Sequence, residues 1–271
     1  MRKLNVKTVK ISPDLIKADF NQTPTSKFPK DKILEIIDNA RKLEKGKKLD
    51  ALSQIVENYS KKEYHTKLGK LSLNGIKSVG ETAYQRAIFL SEKTKLNTIG
   101  EVVWNDLELP VVFNESSKRR CIDLVGTLNN KTSILCELKF VSKKGNSNSP
   151  IYAAIQLLIY YYLIKDNYEE LDMKKVFHKN EQVKPFKWSN FNPNSILIVG
   201  ANEKYWGHWQ NHYEKQKNEI ELWHRSLSSL LPIRFFSSPD FDFEEQKKIK
   251  GSEGKYAPSV SDKTEWIEKF I

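Results

Sequence analysis

Two residues able to do chemistry lie two positions apart in an otherwise apolar segment. Residues 134–140 have the sequence Ile-Leu-Cys-Glu-Leu-Lys-Phe, which contains Glu137 and Lys139. Alternate residues of a strand share a face, so both side chains are predicted to point the same way. Because burying an isolated carboxylate or ammonium is costly, we expect such a strand to hold them as an ion pair or at a metal ion.

A second carboxylate, Asp123, lies in another apolar segment, Cys-Ile-Asp-Leu-Val, fourteen positions before Glu137. The dipeptide Asn129-Asn130 between the two segments is a turn signal of the hairpin kind. Pairing around this turn places Asp123 within a few residues of the position opposite Glu137, so the two carboxylates are predicted to converge. Two carboxylates whose coordination is completed by water suit Mg²⁺, which proteins seldom cage fully.

Such an ion polarises a phosphate oxygen and lowers the pKa of a bound water. Lys139 beside it would orient the attacking water or stabilise the charge that develops on phosphorus. Burial and a nearby cation would both favour the neutral amine, which adds a third role as general base. The sequence leaves these roles open. An alternative for the whole group is a structural Glu137–Lys139 pair with an unrelated Asp123 at a strand edge.

The elements that must position these side chains follow from hydrophobic periodicity. The pattern predicts a helix at 81–93, strands at 102–113, 120–128 and 133–141, an apolar helix at 150–164, a buried strand at 195–200 and a helix at 214–230. A short helix is also predicted near Trp266. The fold class is therefore α/β, with a mixed central sheet flanked by helices in the order αβββαβ.

The domain organisation is predicted from composition along the 271 residues. Residues 1–75 are expected to form a mainly helical extension that serves DNA binding or dimerisation. Residues 76–232 form the core, with a polar insertion at 166–194. Residues 233–271 form a charged C-terminal tail.

The helix after the Glu137 strand carries Gln156 and Tyr160, which are four apart and so share a helix face. Asp123, then Glu137-Leu138-Lys139, then this Gln-x-x-x-Tyr pattern resembles the PD-(D/E)xK nuclease superfamily, and its RecB-like branch in particular. The resemblance covers roughly residues 78–200. It departs from the family pattern at Ile122, where a proline usually stands.

The resemblance implies a restriction-endonuclease-like core and a site that hydrolyses DNA with Mg²⁺ or Mn²⁺. By the same resemblance, Asp123, Glu137 and the backbone carbonyl of Leu138 would bind the metal. Lys139 would be the catalytic lysine, and Gln156 and Tyr160 would brace the site or touch DNA.

The family often adds an acidic residue from the helix before the sheet, for which Glu81 is the candidate here. The alternative for Glu81 is a carboxylate that is favourable at a helix N-terminus.

The formal net charge of +11 favours a polyanionic partner. Cations flank the predicted hairpin at both ends of the site, and we predict that they contact phosphates; they are Lys118, Arg119, Arg120, Lys143 and Lys144. Solvated loop charge is the alternative. DNA is the expected partner, with RNA as an alternative substrate and with a homodimer or a partner subunit left open.

Several function classes are disfavoured. The apolar run at 151–164 is shorter than the roughly 20 residues of a membrane span, and the N-terminus lacks a signal-peptide core, so we expect a cytoplasmic protein. Two cysteines, Cys121 and Cys136, cannot alone supply the four ligands of a structural zinc. No Gly-Lys-Ser/Thr phosphate loop or dinucleotide-binding glycine cluster occurs in the sequence.

His208 and His212 have the i,i+4 spacing of a zinc site on a helix, but no partner glutamate or third ligand is evident. We expect a surface or interface role for them. Four nearby aromatic residues are expected to be core rather than base-stacking side chains: Trp206, Trp209, Tyr213 and Trp223.

The sequence therefore predicts a metal-dependent nuclease that cuts DNA, as an exonuclease or in end or single-strand processing during DNA repair or anti-phage defence. Alternatives are a restriction-type endonuclease and a non-catalytic DNA-binding subunit of a defence or repair complex.

Overall fold

The computed structural model describes residues 80–91, 93–112, 120–141, 148–165, 195–214, 232–239, 242–245, 256–259 and 265–269, together with residues 218, 221 and 225. The helices are α1 (Glu81–Leu90), α2 (Pro150–Lys165) and α3 (Glu203–Glu214). The strands are β1 (Lys93–Leu96), β2 (Gly100–Val112), β3 (Arg120–Leu128), β4 (Thr132–Lys139), β5 (Ile196–Asn202), β6 (Ile233–Ser238), β7 (Asp242–Glu245), β8 (Tyr256–Ser259) and β9 (Glu265–Lys269).

Seven strands form one closed mixed barrel in the order β1-β2-β3-β4-β5-β6-β9. The first four are antiparallel neighbours. β4, β5 and β6 run parallel. β9 pairs antiparallel with β6 and parallel with β1, and this second pairing closes the barrel. β7 and β8 form a separate two-stranded sheet.

The predicted fold class is wrong. A mixed central sheet flanked by helices, in a restriction-endonuclease-like core, was expected, whereas seven strands form a barrel that closes through the pairing of β1 with β9. β1 shares only Lys93 with the helix predicted at 81–93 and otherwise lies where no element was predicted, and β9 lies where a short helix was predicted near Trp266. Both strands are short and rich in charged residues, and the pairing between them that closes the barrel joins residues distant in the sequence. Local periodicity therefore could not reveal them.

Most central elements lie where the sequence predicts them. β3 has the predicted bounds, and β2, β4, α2 and β5 differ from prediction by a few residues at their ends. α3 precedes the helix predicted at 214–230, most of which lies outside the described residues. The extension at 1–75 and the insertion at 166–194 also lie outside them. β6 and β9 bring parts of the segment 233–271 into the barrel.

One apolar cluster draws side chains from all seven barrel strands and fills the barrel interior. On β4 its members are Ile134, Cys136 and Leu138, and α1 adds Tyr84, Ile88 and Phe89. This alternation along β4 leaves Glu137 and Lys139 on the opposite face. The interior packing therefore fixes which residues of β4 turn outward.

The β3–β4 hairpin turns at Asn129 and Asn130, as predicted. Both residues have positive φ, at 48° and 57°. They are the central residues of a turn closed by the Lys131 N–H, which donates to the Leu128 carbonyl at 3.0 Å, and with Lys131 they form a three-residue loop between the paired Leu128 and Thr132. Asparagine tolerates the left-handed conformation better than most residues. The turn sets the register in which Leu124 pairs with Cys136.

Helix α2 begins at Pro150, where a missing N–H costs nothing. Ser149 caps it, because the Tyr152 N–H donates to Ser149 Oγ at 3.1 Å. The helix packs on β4 and β5, on the face that carries Glu137. At 16 residues α2 is the longest described helix, and no helix in the described parts of the chain has the length and apolarity needed to cross a membrane.

Two glycines give a stability prediction for the closed barrel. A Cβ at Gly200 would lie 2.5 Å from a ring carbon of the buried Trp266, so Gly200→Ala is expected to destabilise the fold by about 1–3 kcal/mol. A Cβ at Gly207, in α3, meets nothing within 4 Å, so Gly207→Ala is expected to stabilise it by about 0.5–1 kcal/mol. Urea unfolding of both variants measures the effects. Equal stability of the two variants would contradict the contact between Trp266 on β9 and Gly200 on β5.

Candidate active site

Strand β4 positions Glu137 and Lys139 side by side. Both are almost fully buried, at 3% and 4% exposure. The Lys139 ammonium donates a hydrogen bond to Glu137 Oε1 at 2.6 Å, which confirms the predicted shared face. The two charged groups are thus paired, as burial of an ammonium and a carboxylate requires.

Asp123 joins this pair from β3. The paired residues of β3 and β4 run from Leu128–Thr132 to Leu124–Cys136, and one further step sets Asp123 opposite Glu137. At this point the Leu138 N–H donates to Asp123 Oδ2 at 2.7 Å, in place of a main-chain partner. Since the N–H and C=O of one strand residue point to the same side, the Leu138 carbonyl also faces β3 and Asp123.

Helix α2 supplies Gln156 and Tyr160, which the structure brings to the same cluster. Gln156 Nε2 donates to Glu137 Oε1 at 2.9 Å and lies 3.2 Å from the Tyr160 hydroxyl, to which it also donates. Tyr160 is buried. The amide of Gln156 therefore fixes the orientation of the Glu137 carboxylate, and Tyr160 fixes the amide.

The second carboxylate oxygen of Glu137 accepts no hydrogen bond in the described structure. Both donors, Lys139 and Gln156, bind Oε1, while Oε2 is buried without a hydrogen-bond partner in the described structure. A buried acceptor without a donor costs about 1–3 kcal/mol, and more when it is charged. Proteins rarely leave such an atom unsatisfied unless it has another role.

Burial raises the pKa of both carboxyl groups. Burial, and then the charge of Glu137, raise the pKa of Asp123 well above its ordinary value, against the opposing effect of Lys139. Burial also raises the pKa of Glu137, although Lys139 acts to lower it. Both carboxylates thus lie where their negative charges are held at a cost, which a cation would relieve.

For Lys139, neighbouring charges together affect the pKa more than burial does. Burial acts to lower its pKa, but the negative charges of Glu137, Glu81 and Asp123 outweigh burial and raise the pKa above its usual range. The side chain is therefore an ammonium. The sequence suggested that a neutral amine is favoured; that reasoning counted burial and a cation but not three neighbouring carboxylates.

Glu81 is exposed at the first residue of α1. Its charge acts on Asp123, Glu137 and Lys139. However, no group of three or more His, Cys, Asp or Glu side chains is arranged to hold a metal ion within the described ranges. The groups that fit a metal ion are thus the carboxylates of Asp123 and Glu137 and the Leu138 carbonyl. So few protein ligands suit Mg²⁺, because a bound Mg²⁺ ion usually keeps several of its waters.

Gln85 was missed by the sequence analysis. It is buried on α1, and its Nε2 donates to the main-chain oxygen of Asp123 at 2.7 Å. Gln85 lies four residues after Glu81, so the two share one face of α1. That spacing, on the helix already suspected of contributing Glu81, was the available signal.

The predicted phosphate contacts are mostly outside the described residues. Lys118, Arg119, Lys143 and Lys144 all lie there, and Arg120 is the first residue of β3. The chain connects these positions directly to the strands of the site, since β3 leads to Asp123 and β4 ends at Lys139.

The aromatic residues of α3 are core residues where their side chains are described. Trp206 and Trp209 are buried, and the Trp206 indole N–H donates to the Phe236 carbonyl at 3.1 Å. The His208 ring packs edge-on against Trp209. The side chains of His212, Tyr213 and Trp223 lie outside the described residues.

The raised pKa of Asp123 predicts a pH-dependent stability. The folded chain holds the Asp123 proton more tightly than the unfolded chain, so this group destabilises the fold progressively as pH rises from about its ordinary pKa of 3.8 toward the raised value. In EDTA, the free energy of unfolding of wild type minus that of Asp123→Asn should therefore fall with rising pH above 4. A difference that rises with pH would contradict this electrostatic account.

The candidate site thus consists of the buried Glu137–Lys139 pair on β4, Asp123 on β3 and the Gln156 amide from α2. No protein-family model matches this chain, and no curated protein or solved structure does so either.

Proposed function

We propose that this chain is a metal-dependent nuclease that hydrolyses DNA phosphodiester bonds at the Asp123–Glu137–Lys139 cluster. The observation that carries the proposal is Glu137 Oε2, a buried carboxylate oxygen without a hydrogen-bond partner in the described structure, beside the half-buried carboxylate of Asp123. A purely structural ion pair would gain nothing from that oxygen, and replacing such pairs by apolar residues is often neutral or stabilising.

The residues that would hold Mg²⁺ or Mn²⁺ are Asp123, Glu137 and the Leu138 carbonyl. When bound, such an ion polarises a phosphate oxygen and lowers the pKa of a bound water. Asp123 keeps its orientation through the Leu138 amide, and Glu137 through Gln156, so both carboxylates are held in place before an ion arrives.

Lys139 holds its proton at Nζ beside Glu137 Oε1. As an ammonium it cannot accept a proton from water, so we assign it the stabilisation of negative charge on the phosphoryl oxygens. Its burial supports this role, because a charge acts more strongly where water is excluded. The Gln-x-x-x-Tyr pair and this cluster together support the resemblance to PD-(D/E)xK sites.

DNA is the proposed substrate class. The net charge of +11 favours a polyanion, and basic residues adjoin the site along the chain before β3 and after β4. Gln156 and Tyr160 match the pattern of the RecB-like branch, and that resemblance favours action on DNA ends or single strands. A restriction-type endonuclease is the alternative within the same chemistry.

A substrate panel tests the proposal. Purified full-length chain is incubated with circular duplex, linear duplex, single-stranded DNA and RNA in Mg²⁺, Mn²⁺ or EDTA. We expect loss of linear or single-stranded DNA, intact circular duplex, and no cleavage in EDTA. Cleavage of circular duplex would favour the endonuclease, and binding without cleavage in every metal would contradict the proposal.

A further inference from the structure

We infer that Gln85 is a positioning residue that sets Asp123 for metal binding, so that the docking of α1 controls the site. This inference rests on the proposed function above. Gln85 is buried, and its amide N–H donates to the main-chain oxygen of Asp123 at 2.7 Å.

The sheet supports the main chain around Asp123 mainly from one side, where the neighbouring residues Ile122 and Leu124 pair with β2. Pairing between β3 and β4 ends at Leu124–Cys136, one residue before Asp123. Beyond that pair, the Leu138 amide binds the Asp123 side chain rather than its main chain. Gln85 therefore holds the backbone of Asp123 while Leu138 holds its carboxylate.

Helix α1 is itself fixed by its apolar face. Tyr84, Ile88 and Phe89 belong to the cluster that fills the barrel. Tyr84 also exchanges a buried hydrogen bond with Ser238 at the end of β6, at 2.5 Å. Gln85, next to Tyr84 in sequence, thus lies on a helix that is packed into the core.

The same helix face carries charge toward the site. Glu81 lies one turn before Gln85, and its charge acts on Asp123, Glu137 and Lys139. A change in the position of α1 would move a hydrogen bond to Asp123 and a negative charge together. Partners that orient metal ligands typically affect metal affinity about 10–100-fold when removed.

Two substitutions separate positioning from space filling. Gln85→Met keeps the length of the side chain and removes the donor. Gln85→Glu keeps the shape, but at neutral pH a carboxylate has no proton to donate to the Asp123 oxygen. Both substitutions are expected to weaken the binding of Mn²⁺ at the site. If Gln85 only filled space, either substituted side chain could replace it and Mn²⁺ binding would be unchanged.

The matched control is Thr94→Val. It removes another buried side-chain hydrogen bond, from Trp104 Nε1 to Thr94 Oγ1 at 2.7 Å, on β1 and β2 away from Asp123. It destabilises the fold in the same way, by leaving a buried donor unsatisfied, which costs about 1–3 kcal/mol (about a 5- to 150-fold change in the unfolding equilibrium). It should leave metal affinity unchanged.

Mn²⁺ binding to the full chain is measured by calorimetry, with Asp123→Asn to show that binding is at this site. We expect Gln85→Met and Gln85→Glu to weaken Mn²⁺ binding about 10–100-fold. Thr94→Val should bind as wild type does. Wild-type affinity in both Gln85 variants would overturn the inference.

Amide hydrogen exchange provides a second measurement that needs no metal. The Leu138 amide, which donates to Asp123, should exchange about five- to tenfold faster in Gln85→Met than in Thr94→Val, as loss of support for one hydrogen bond implies. The Ile134 amide on the same strand is the internal reference. If wild type binds no Mn²⁺, the proposed metal site fails, and Leu138 exchange alone decides the role of Gln85; unchanged exchange would overturn it.

Discussion

Asp123→Asn is expected to lower kcat/KM for DNA cleavage at least about a thousandfold, because a metal ion at a phosphoryl group contributes several kcal/mol to the transition state. The asparagine keeps an oxygen that accepts from the Leu138 amide, so the local structure is preserved. What disappears is one of the two carboxylates of the site. Cleavage rates in Mg²⁺ and Mn²⁺ and the binding of Mn²⁺ measure the effect.

The stability of this variant distinguishes loss of chemistry from loss of fold. Burial and Glu137 raise the pKa of Asp123, so its negative charge destabilises the folded chain at neutral pH. Asp123→Asn should therefore raise the Tm in EDTA while activity is lost. The control is Glu101→Gln, at an exposed carboxylate paired with Lys93. A lowered Tm with partial activity would contradict the assignment.

Lys139→Met is expected to lower kcat about 100- to 1000-fold without weakening metal binding. By the proposed role of Lys139, the variant removes a charge that stabilises the transition state, and the loss of such a group has an effect of this size in other active sites. It also removes a cation that competes for Glu137, so Mn²⁺ should bind as tightly as in wild type, or more tightly. This separation of kcat from metal affinity distinguishes Lys139 from Asp123, whose loss affects both.

The cost to the fold is part of the same prediction. Lys139→Met leaves Glu137 buried without its partner, which destabilises by about 3–5 kcal/mol. Bound metal should restore part of this stability, because it binds only the folded chain. Lys93→Met removes a lysine of similar chemistry from an exposed pair, at 58% exposure, and should change neither activity nor Tm appreciably. Loss of Mn²⁺ binding in Lys139→Met would contradict the assigned role.

Local sequence patterns predicted much of the candidate site. Strand alternation placed Glu137 and Lys139 on one face, and the Asn129-Asn130 turn predicted a hairpin with Asp123 within a few residues of the position opposite Glu137. The structure sets Asp123 opposite Glu137 through a loop that also includes Lys131. Helical spacing put Gln156 and Tyr160 within contact of each other. Each inference depends on residues within a few positions of one another, or on a hairpin whose turn is visible in the sequence.

The closed barrel could not be predicted from local sequence patterns. Closure of the barrel depends on Leu96 pairing with Trp266, 170 residues away in sequence. Nothing in Lys-Thr-Lys-Leu or Glu-Trp-Ile-Glu-Lys indicates that partner. Strand propensity is weak where packing against distant neighbours decides the structure.

The protonation of Lys139 and the role of Gln85 were not predicted for a related reason. The pKa of Lys139 depends on three carboxylates from α1, β3 and β4. Gln85 reaches Asp123 across 38 positions of sequence. Both facts require the positions of elements in space, which the sequence alone did not supply.

The cleavage of linear DNA by wild type and by Glu137→Gln, side by side in Mn²⁺ and in EDTA, tests the central claim most directly. Glutamine keeps the shape of Glu137 but cannot provide the carboxylate whose Oε2 is unpartnered. We predict cleavage by wild type in Mn²⁺ alone, and none by Glu137→Gln in either condition. Equal cleavage by the two proteins, or cleavage by wild type that persists in EDTA, would contradict a metal-dependent nuclease site at Asp123, Glu137 and Lys139.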